Sequence, residues 1–147
     1  MDERWMGEAL LLAKAALAEG EVPIGAVVVV EDRIVGRGRN ARERLNDPTA
    51  HAEIIALQEA ARSLGRWRLT GATIYATLEP CFMCAGALVN ARVDRLVFSV
   101  SDPKAGAVGS LFDVARDPRL NHRLEVSSGP LAAECADLLR SFFRAKR

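Results

Sequence analysis

The stretch ATIYATLEPCFMCAGALVNARVDRLVFSV, residues 72–100, contains two runs of β-branched and apolar residues separated by a helix-forming segment. The runs at 72–78 and 95–100 are typical of buried strands. The segment 81–93 predicts a helix, and Pro80 before it suits a helix entrance, where a missing N–H costs nothing. A strand–helix–strand unit joins parallel strands through a right-handed crossover. This stretch therefore predicts an α/β fold.

The rest of the chain predicts further helices and strands around this unit. Helical periodicity or helix-ending glycines predict helices at 3–19, at 49 or 50 to 64, and at 130–145. Apolar runs predict a hairpin of strands at 24–30 and 33–38, and a last strand at 123–128. Residues 39–47 are interpreted as a polar loop and 101–122 as irregular, with a short helix near 110–115 left open. A mixed sheet covered on both faces by helices fits this order.

The composition is that of an ordinary globular protein. The 147 residues are half hydrophobic and about a quarter charged, which predicts one domain spanning 1–147. No apolar run approaches the roughly 18 residues that a membrane helix needs, and the chain starts with acidic Asp2 and Glu3. A cytoplasmic protein without membrane contact is therefore expected. Five arginines are candidates for phosphate contacts or are merely solvated: Arg33, Arg37, Arg39, Arg42 and Arg44.

Three side chains form a candidate metal site. Cys81 and Cys84 are three residues apart in a first helical turn, so they share a face, and His51 lies at the start of another helix. Two thiolates and an imidazole favour tetrahedral zinc. Three protein ligands leave one position open, as in catalytic sites, where zinc lowers the pKa of water to about 7.

Glu53 follows His51 by two positions, which on the side of a helix would separate the two residues. Both can act at one centre only if the metal lies beyond the N-terminal end of the helix. The run Asp47-Pro48-Thr49 supplies cap and first-turn residues that place the helix start here. Glu53 then becomes the candidate proton carrier between a water molecule and a substrate.

A Cys-x-x-Cys pair on its own is more often structural or redox-active than catalytic. A structural zinc would need a fourth ligand, for which His122 and Cys135 are the remaining strong donors. Cys135 lies on an apolar helical stripe and is interpreted as a buried, inert thiol. His122 precedes a strand and is interpreted as a structural hydrogen-bonding group.

The combination of His51-Ala52-Glu53 with Pro80-Cys81-Phe82-Met83-Cys84 resembles the signature of the zinc-dependent cytidine deaminase superfamily. Segments along almost the whole chain resemble, more narrowly, the bacterial tRNA-specific adenosine deaminases. These segments are EVPIGAVVV at 21–29, NDPTAHAEI at 46–54, YATLEPCFMCAGAL at 75–88, GSLFDV at 109–114, NHRLEV at 121–126 and ADLLRSFFR at 136–144.

The resemblance implies a three-layer α/β/α sandwich with a five-stranded mixed sheet, one zinc per subunit and a homodimer. It implies hydrolytic deamination of the wobble adenosine in a tRNA anticodon loop, an arginine tRNA, with Glu53 as proton shuttle. The metal ligands would be His51, Cys81 and Cys84. The implied substrate-binding residues are Val22, Pro23, Ile24, Asn40, Ala52, Asp102, Lys104, Phe142, Phe143 and Arg144. Of the adjacent Phe142 and Phe143, at least one is expected to face the core.

Two competing functions share these residues. A deaminase of a free base or nucleoside, such as guanine or cytosine, would use the same zinc site and Glu53 but would not need the C-terminal aromatic residues. A non-enzymatic zinc module that binds RNA would need a closed site with Cys135 or His122 as fourth ligand.

Overall fold

The computed structural model describes residues 1–146 and contains a single five-stranded sheet with helices on both faces. The strands are β1 (Gly25–Val30), β2 (Arg33–Arg39), β3 (Thr73–Leu78), β4 (Arg95–Val100) and β5 (Glu125–Ser128). The helices are α1 (Asp2–Ala18), α2 (Arg42–Leu45), α3 (Ala52–Leu64), α4 (Phe82–Ala91) and α5 (Ala132–Ala145). Among residues 1–146, no helix is both long and apolar enough to cross a membrane.

The sheet has the order β2-β1-β3-β4-β5 and is mixed. Strand β1 pairs antiparallel with β2 and with β3, whereas β3, β4 and β5 run parallel. The predicted fold class is thereby confirmed. The parallel pairing of β3 and β4 follows from the crossover through α4, as the stretch 72–100 predicts.

Alternating side chains of the central strands fill two apolar layers. On β1, Ala26 and Val28 face the layer that α3 and α4 cover, while Val27 and Val29 face the layer that α1 covers. Each of the four is less than a tenth exposed. Because both faces of β1 are buried, its sequence is a continuous apolar run rather than an alternating one.

Glycines on β2 bring α3 unusually close to the sheet. A Cβ atom on Gly38 would lie 2.0 Å from the carbonyl oxygen of Ala52, and one on Gly36 would lie 2.2 Å from that of Ala56. Neither distance is compatible with a side chain, so only glycine permits this approach. The first turn of α3 is thereby fixed against the edge of the sheet, which fixes His51 in front of it.

Several boundaries differ from the sequence prediction. Residues 42–45 form one helical turn where a loop was predicted, and no helix is present near 110–115. Helix α3 begins at Ala52 rather than at 49 or 50, because Asp47 accepts hydrogen bonds from Thr49 and closes a turn before the helix. Strand β5 covers only the end of the predicted 123–128.

Candidate metal centre

His51 and Cys81 occupy equivalent places, each the residue immediately before the first turn of a helix. His51 precedes α3 and Cys81 precedes α4, both with extended backbone angles, and Cys84 lies in the first turn of α4. The Nδ1 atom of His51 lies 3.5 Å from the Sγ atom of each cysteine. The N-terminal ends of α3 and α4 therefore point toward the same site.

The spacing of these donor atoms fits zinc. Tetrahedral zinc, about 2.0–2.1 Å from nitrogen and about 2.3 Å from sulfur, requires an N···S separation of about 3.6 Å. The observed 3.5 Å matches this value, and the three donor atoms all lie within 4.8 Å of one another. His51, Cys81 and Cys84 can therefore hold a metal ion with a fourth position left for another ligand.

Neither alternative fourth ligand lies at this site. The Nε2 atom of His122 hydrogen-bonds the carbonyl oxygen of Val93 at 2.7 Å. Cys135 is 2% exposed in α5, where burial raises the pKa of its thiol. Within residues 1–146, the group of histidine, cysteine and carboxylate donors that could hold a metal consists of His51, Cys81 and Cys84 alone. The structural roles interpreted for His122 and Cys135 agree with these positions.

Without a metal, the three donors share protons among themselves. Hydrogen bonds from Cys84 and His51 lower the pKa of Cys81 to about 4, despite its partial burial. The pKa of Cys84 is raised by its hydrogen bond to Cys81 and by burial, and the hydrogen bond to Cys81 raises the pKa of His51. Metal binding therefore has to displace the proton of Cys84.

Glu53 stands beside this group with its carboxyl almost entirely out of water. Its side chain is in the first turn of α3 and 4% of the residue is exposed. Burial raises the pKa of Glu53 to about 7, because the charged form is poorly solvated there. A carboxyl with a pKa near neutrality both accepts and releases protons readily.

The pocket in front of these residues contains five of the ten predicted substrate contacts. Val22, Ile24, Asn40, Ala52 and Asp102 line it together with His51, Glu53 and Cys81. Sequence reasoning missed four lining residues as base-pocket residues: Arg42, Leu78, Glu79 and Ala105. Arg42 was predicted either to contact phosphates or to be merely solvated. Leu78 and Glu79 directly precede Pro80-Cys81, and this position was the available signal for them.

Asn40 presents an unpaired polar atom at this pocket. The residue is 3% exposed and its Nδ2 donates to the carbonyl oxygen of Val22 at 3.4 Å. The Oδ1 atom is buried and has no hydrogen-bond partner within the described part of the chain. Buried polar atoms are normally hydrogen-bonded, so the Oδ1 atom of Asn40 is available to accept a hydrogen bond from a ligand.

Five other predicted contacts do not line the pocket. Pro23 is buried beneath it, and Lys104 is exposed in the neighbouring loop. In α5, Phe142 is 9% exposed and Phe143 is 52% exposed, and their rings meet edge to face at 5.2 Å. Phe142 thus faces the core, as expected for one of the pair, while Phe143 and Arg144 face solvent.

The whole chain matches the MafB19-like deaminase family, over residues 1–147. A tRNA-specific adenosine deaminase of Bacillus subtilis (strain 168) is 50% identical over 146 residues, covering 99% of this chain and 91% of the relative. A solved structure from work on A-to-I editing by tRNA:A34 deaminases at the wobble position of transfer RNA has a TM-score of 0.89. It is 45% identical and covers 92% of this chain and 99% of its own.

A second enzyme class shares the fold at lower similarity. The guanine deaminase of Nitrosomonas europaea has a TM-score of 0.78 and 28% identity, with 95% of this chain and 83% of that chain covered. The chain is therefore more similar to the tRNA:A34 deaminase structure, at 45% identity, than to the guanine deaminase, at 28% identity.

Proposed function

Because this chain belongs to the MafB19-like deaminase family, and within it to the bacterial tRNA-specific adenosine deaminases, we propose that it deaminates the wobble adenosine of a tRNA anticodon loop to inosine. The observation that carries this function is the near-complete match at 45–50% identity to enzymes of that activity. The pocket geometry supports it, since a buried acid of near-neutral pKa and an unpaired amide oxygen line the same cavity as the metal donors.

The cofactor we propose is one zinc per subunit, held by His51, Cys81 and Cys84. When bound, zinc would supply a Lewis acid that lowers the pKa of a water molecule to about 7. The donor spacing and the soft donor set support this choice. Replacing His51 by alanine should remove most of the zinc and lower the free energy of unfolding, as elemental analysis and thermal denaturation would record.

Glu53 is the proposed proton carrier of the reaction. Its carboxylate takes a proton from the water that attacks carbon 6 of adenine, and the acid form delivers that proton to the adjacent ring nitrogen. Glu53 then passes the second proton of that water from the hydroxyl on carbon 6 to the amino group, and the bond from carbon 6 to nitrogen breaks, so that ammonia leaves and inosine remains. The near-neutral pKa of the buried carboxyl suits both transfers.

The base-binding residues we propose are Val22, Pro23, Ile24, Asn40 and Ala52. Val22, Ile24 and Ala52 wall the cavity, and Asn40 offers the amide oxygen that lacks a partner. Enzymes that react with a base in RNA extrude it from the stack into such a pocket. Pro23 and Ile24 directly precede β1, and Ile24 lines the cavity.

The proposed RNA contacts lie at the rim of this cavity, where Asp102 lines it, and beyond it. Asp102 and Lys104 would meet the nucleotides beside the target, although the Asp102 carboxylate already accepts the Lys104 amide at 3.1 Å. Phe142, Phe143 and Arg144 would hold the loop, and the 52% exposure of Phe143 supports a stacking role.

We further propose a cytoplasmic homodimer, formed from one 147-residue domain per subunit, that acts on an arginine tRNA. An exposed apolar cluster supports a subunit interface: Phe82 and Phe112 meet edge to face at 5.3 Å and are 60% and 56% exposed. Apolar surface of this kind is typical of protein contacts. Sedimentation of the zinc-loaded protein would distinguish the dimer from a monomer.

The test is inosine formation in an arginine-tRNA anticodon stem-loop with adenosine at the wobble position. The zinc-loaded protein should convert this substrate and leave a matched stem-loop with wobble guanosine unchanged. The likeness to guanine deaminase favours a second candidate, deamination of a free base. Ammonia released from guanine or cytidine, without inosine in the stem-loop, would replace the first function by the second.

A further inference from the structure

Glu79 is a buried carboxylate that the proposed chemistry does not use. It follows β3 and is 2% exposed. Its Oε1 accepts hydrogen bonds from the amide of Asp102 at 3.0 Å and from the hydroxyl of Ser110. Its Oε2 accepts the amides of Val108 at 2.9 Å and Ser110 at 3.1 Å. All four donors belong to residues 102–110, here called the rim loop.

The rim loop forms one wall of the substrate pocket. Its residues Asp102 and Ala105 line the cavity that Glu53 also lines. Glu79 bonds the loop at both of its ends, at Asp102 and at Ser110, so the carboxylate fixes where the wall stands. Ionised acceptors form the stronger hydrogen bonds, and four of them on one buried group hold a segment rigidly.

The same loop is joined to the metal-binding segment. The amide of Ala107 donates to the carbonyl oxygen of Pro80 at 2.9 Å, and Gly106 pairs with Cys81 in an isolated bridge. The wall of the pocket is thereby tied to the chain that carries two of the metal donors. Glu79 directly precedes Pro80 and stabilises this connection through its hydrogen bonds to the loop.

Gly106 shows how closely the carboxylate and the loop approach each other. A Cβ atom on Gly106 would lie 2.3 Å from the carboxyl carbon of Glu79 and within 2.5 Å of both its oxygens. The backbone of Gly106 is outside the left-handed region, so alanine would bring no conformational strain there. The absence of a side chain serves the contact with Glu79 alone.

We propose that Glu79 is a positioning residue that holds the rim loop where the nucleotides beside the reacting base bind. This inference rests on the proposed function, because it assigns the loop to RNA flanking the target. Glu79 lines the pocket, but its carboxylate oxygens bond the rim loop, so it acts through the loop. Its loss therefore weakens substrate binding rather than the chemical step, whereas a merely structural role would lower stability without a selective change in binding.

The first experiment compares Glu79→Gln with the wild-type enzyme, both loaded with zinc, on the wobble-adenosine stem-loop. Glutamine keeps the shape but turns one acceptor oxygen into an amino group that faces N–H donors. Because each lost hydrogen bond to a buried charge is substantial, KM should rise by about tenfold and kcat should stay within about threefold. Zinc content should remain at the wild-type level.

Gly106→Ala disturbs the same contact without changing Glu79, and it should raise KM in the same selective way. Gly7→Ala is the matched control, since a Cβ atom on Gly7 has no neighbour within 4 Å and its backbone is helical. That variant should leave KM and kcat unchanged. Should Glu79→Gln fail to fold, Gly106→Ala decides the question.

Hydrogen exchange of the rim loop supplies a readout that does not depend on turnover. The amides of Asp102, Val108 and Ser110 bond to Glu79, so Glu79→Gln should speed their exchange by about tenfold or more while α1 stays protected. Inosine formation by the wild-type enzyme tests the proposed function separately. With an active wild type, an unchanged KM in both variants, or an unchanged exchange rate in the loop, would overturn the role of Glu79.

Discussion

Glu53 and Glu79 are both almost fully buried, both adjoin a metal-binding residue, and their environments have opposite effects. Burial raises the pKa of Glu53 to about 7. At Glu79 burial acts in the same direction, but hydrogen bonds from Ser110, Asp102 and Val108 outweigh it and lower the pKa. Deep burial dominates at Glu53, whereas the donors around the Glu79 carboxylate outweigh its burial, so the two groups favour different forms.

The difference separates two uses of a buried acid. A carboxyl poorly supplied with donors exchanges protons near neutral pH, which suits a proton carrier. A carboxylate with four donors stays charged and holds those donors in place. In the proposed mechanism, the pocket thus contains one acid that would move protons and one that would fix a wall.

The largest expected effect comes from removing the proton carrier. Glu53→Gln keeps the volume of the side chain but cannot take up a proton, so kcat for the stem-loop should fall by about 10²–10⁴-fold or more. Zinc should stay at about one per chain, since Glu53 is not among the metal donors. Quenched time courses measure kcat, and elemental analysis measures the zinc content. A kcat equal to that of the wild type would refute the role assigned to Glu53.

Besides weakening substrate binding, complete removal of the anchoring carboxylate should lower stability. Glu79→Ala leaves buried amides of the rim loop without an acceptor, and the free energy of unfolding should fall by about 3 kcal/mol. Urea denaturation of the zinc-loaded protein measures this loss. The exposed Glu125→Ala on β5 is the control and should change stability by less than about 0.5 kcal/mol. Equal losses in the two variants would contradict the anchor.

The raised pKa of Glu53 predicts a pH dependence of stability in the metal-free protein. Between its ordinary value of 4.5 and about 7, the folded state holds a proton that the unfolded chain has released. The free energy of unfolding should therefore fall as pH rises through this range, by up to about 3 kcal/mol, since each pKa unit is worth about 1.4 kcal/mol. Glu53→Gln should lose this part of the slope, as denaturation at several pH values would show.

Substitution of Asp2 should have the smallest effect on stability, and its dependence on pH should have the opposite sign to that of Glu53. The Asp2 carboxylate bonds Arg95 at 2.7 Å, and this contact, against partial burial, lowers the pKa of Asp2. The stabilisation is therefore present above the ordinary pKa and is lost as pH falls through the lowered value. Asp2→Asn should cost up to about 1 kcal/mol at pH 7, because the pair is partly exposed, and nothing in strong acid. Denaturation midpoints at both pH values measure the difference.

The sequence predicted the metal donors and the sheet because both depend on local patterns. The spacing of Cys81 and Cys84, and the apolar strands around them, specify a crossover whose helix mouth faces that of α3. The candidate metal site beyond the N-terminal end of α3, with Glu53 in the first turn, followed from the same logic. The candidate metal donors and the strands can be predicted without knowing which distant residues touch, except that the starts of α3 and α4 must meet.

The rim loop could not be predicted in this way, since its conformation depends on a residue about thirty positions away. A helix near 110–115 was left open by the sequence, but the amides of Val108 and Ser110 donate to Glu79 instead of to main-chain carbonyls. The helical turn α2 was missed for a similar reason. Buried Glu21 accepts the amides of Glu43 and Arg44 and so stabilises a turn too short to show periodicity.

The comparison of the two acids is tested most directly by a carbon-13 NMR titration of the side-chain carboxyl groups in the folded, metal-free protein. Spectra of Glu53→Gln and Glu79→Gln assign the two resonances. We expect Glu53 to titrate with a midpoint of about 7 and Glu79 to stay charged to below 4.5. Midpoints that coincide, or a Glu53 carboxyl that is already charged at pH 5, would contradict the account.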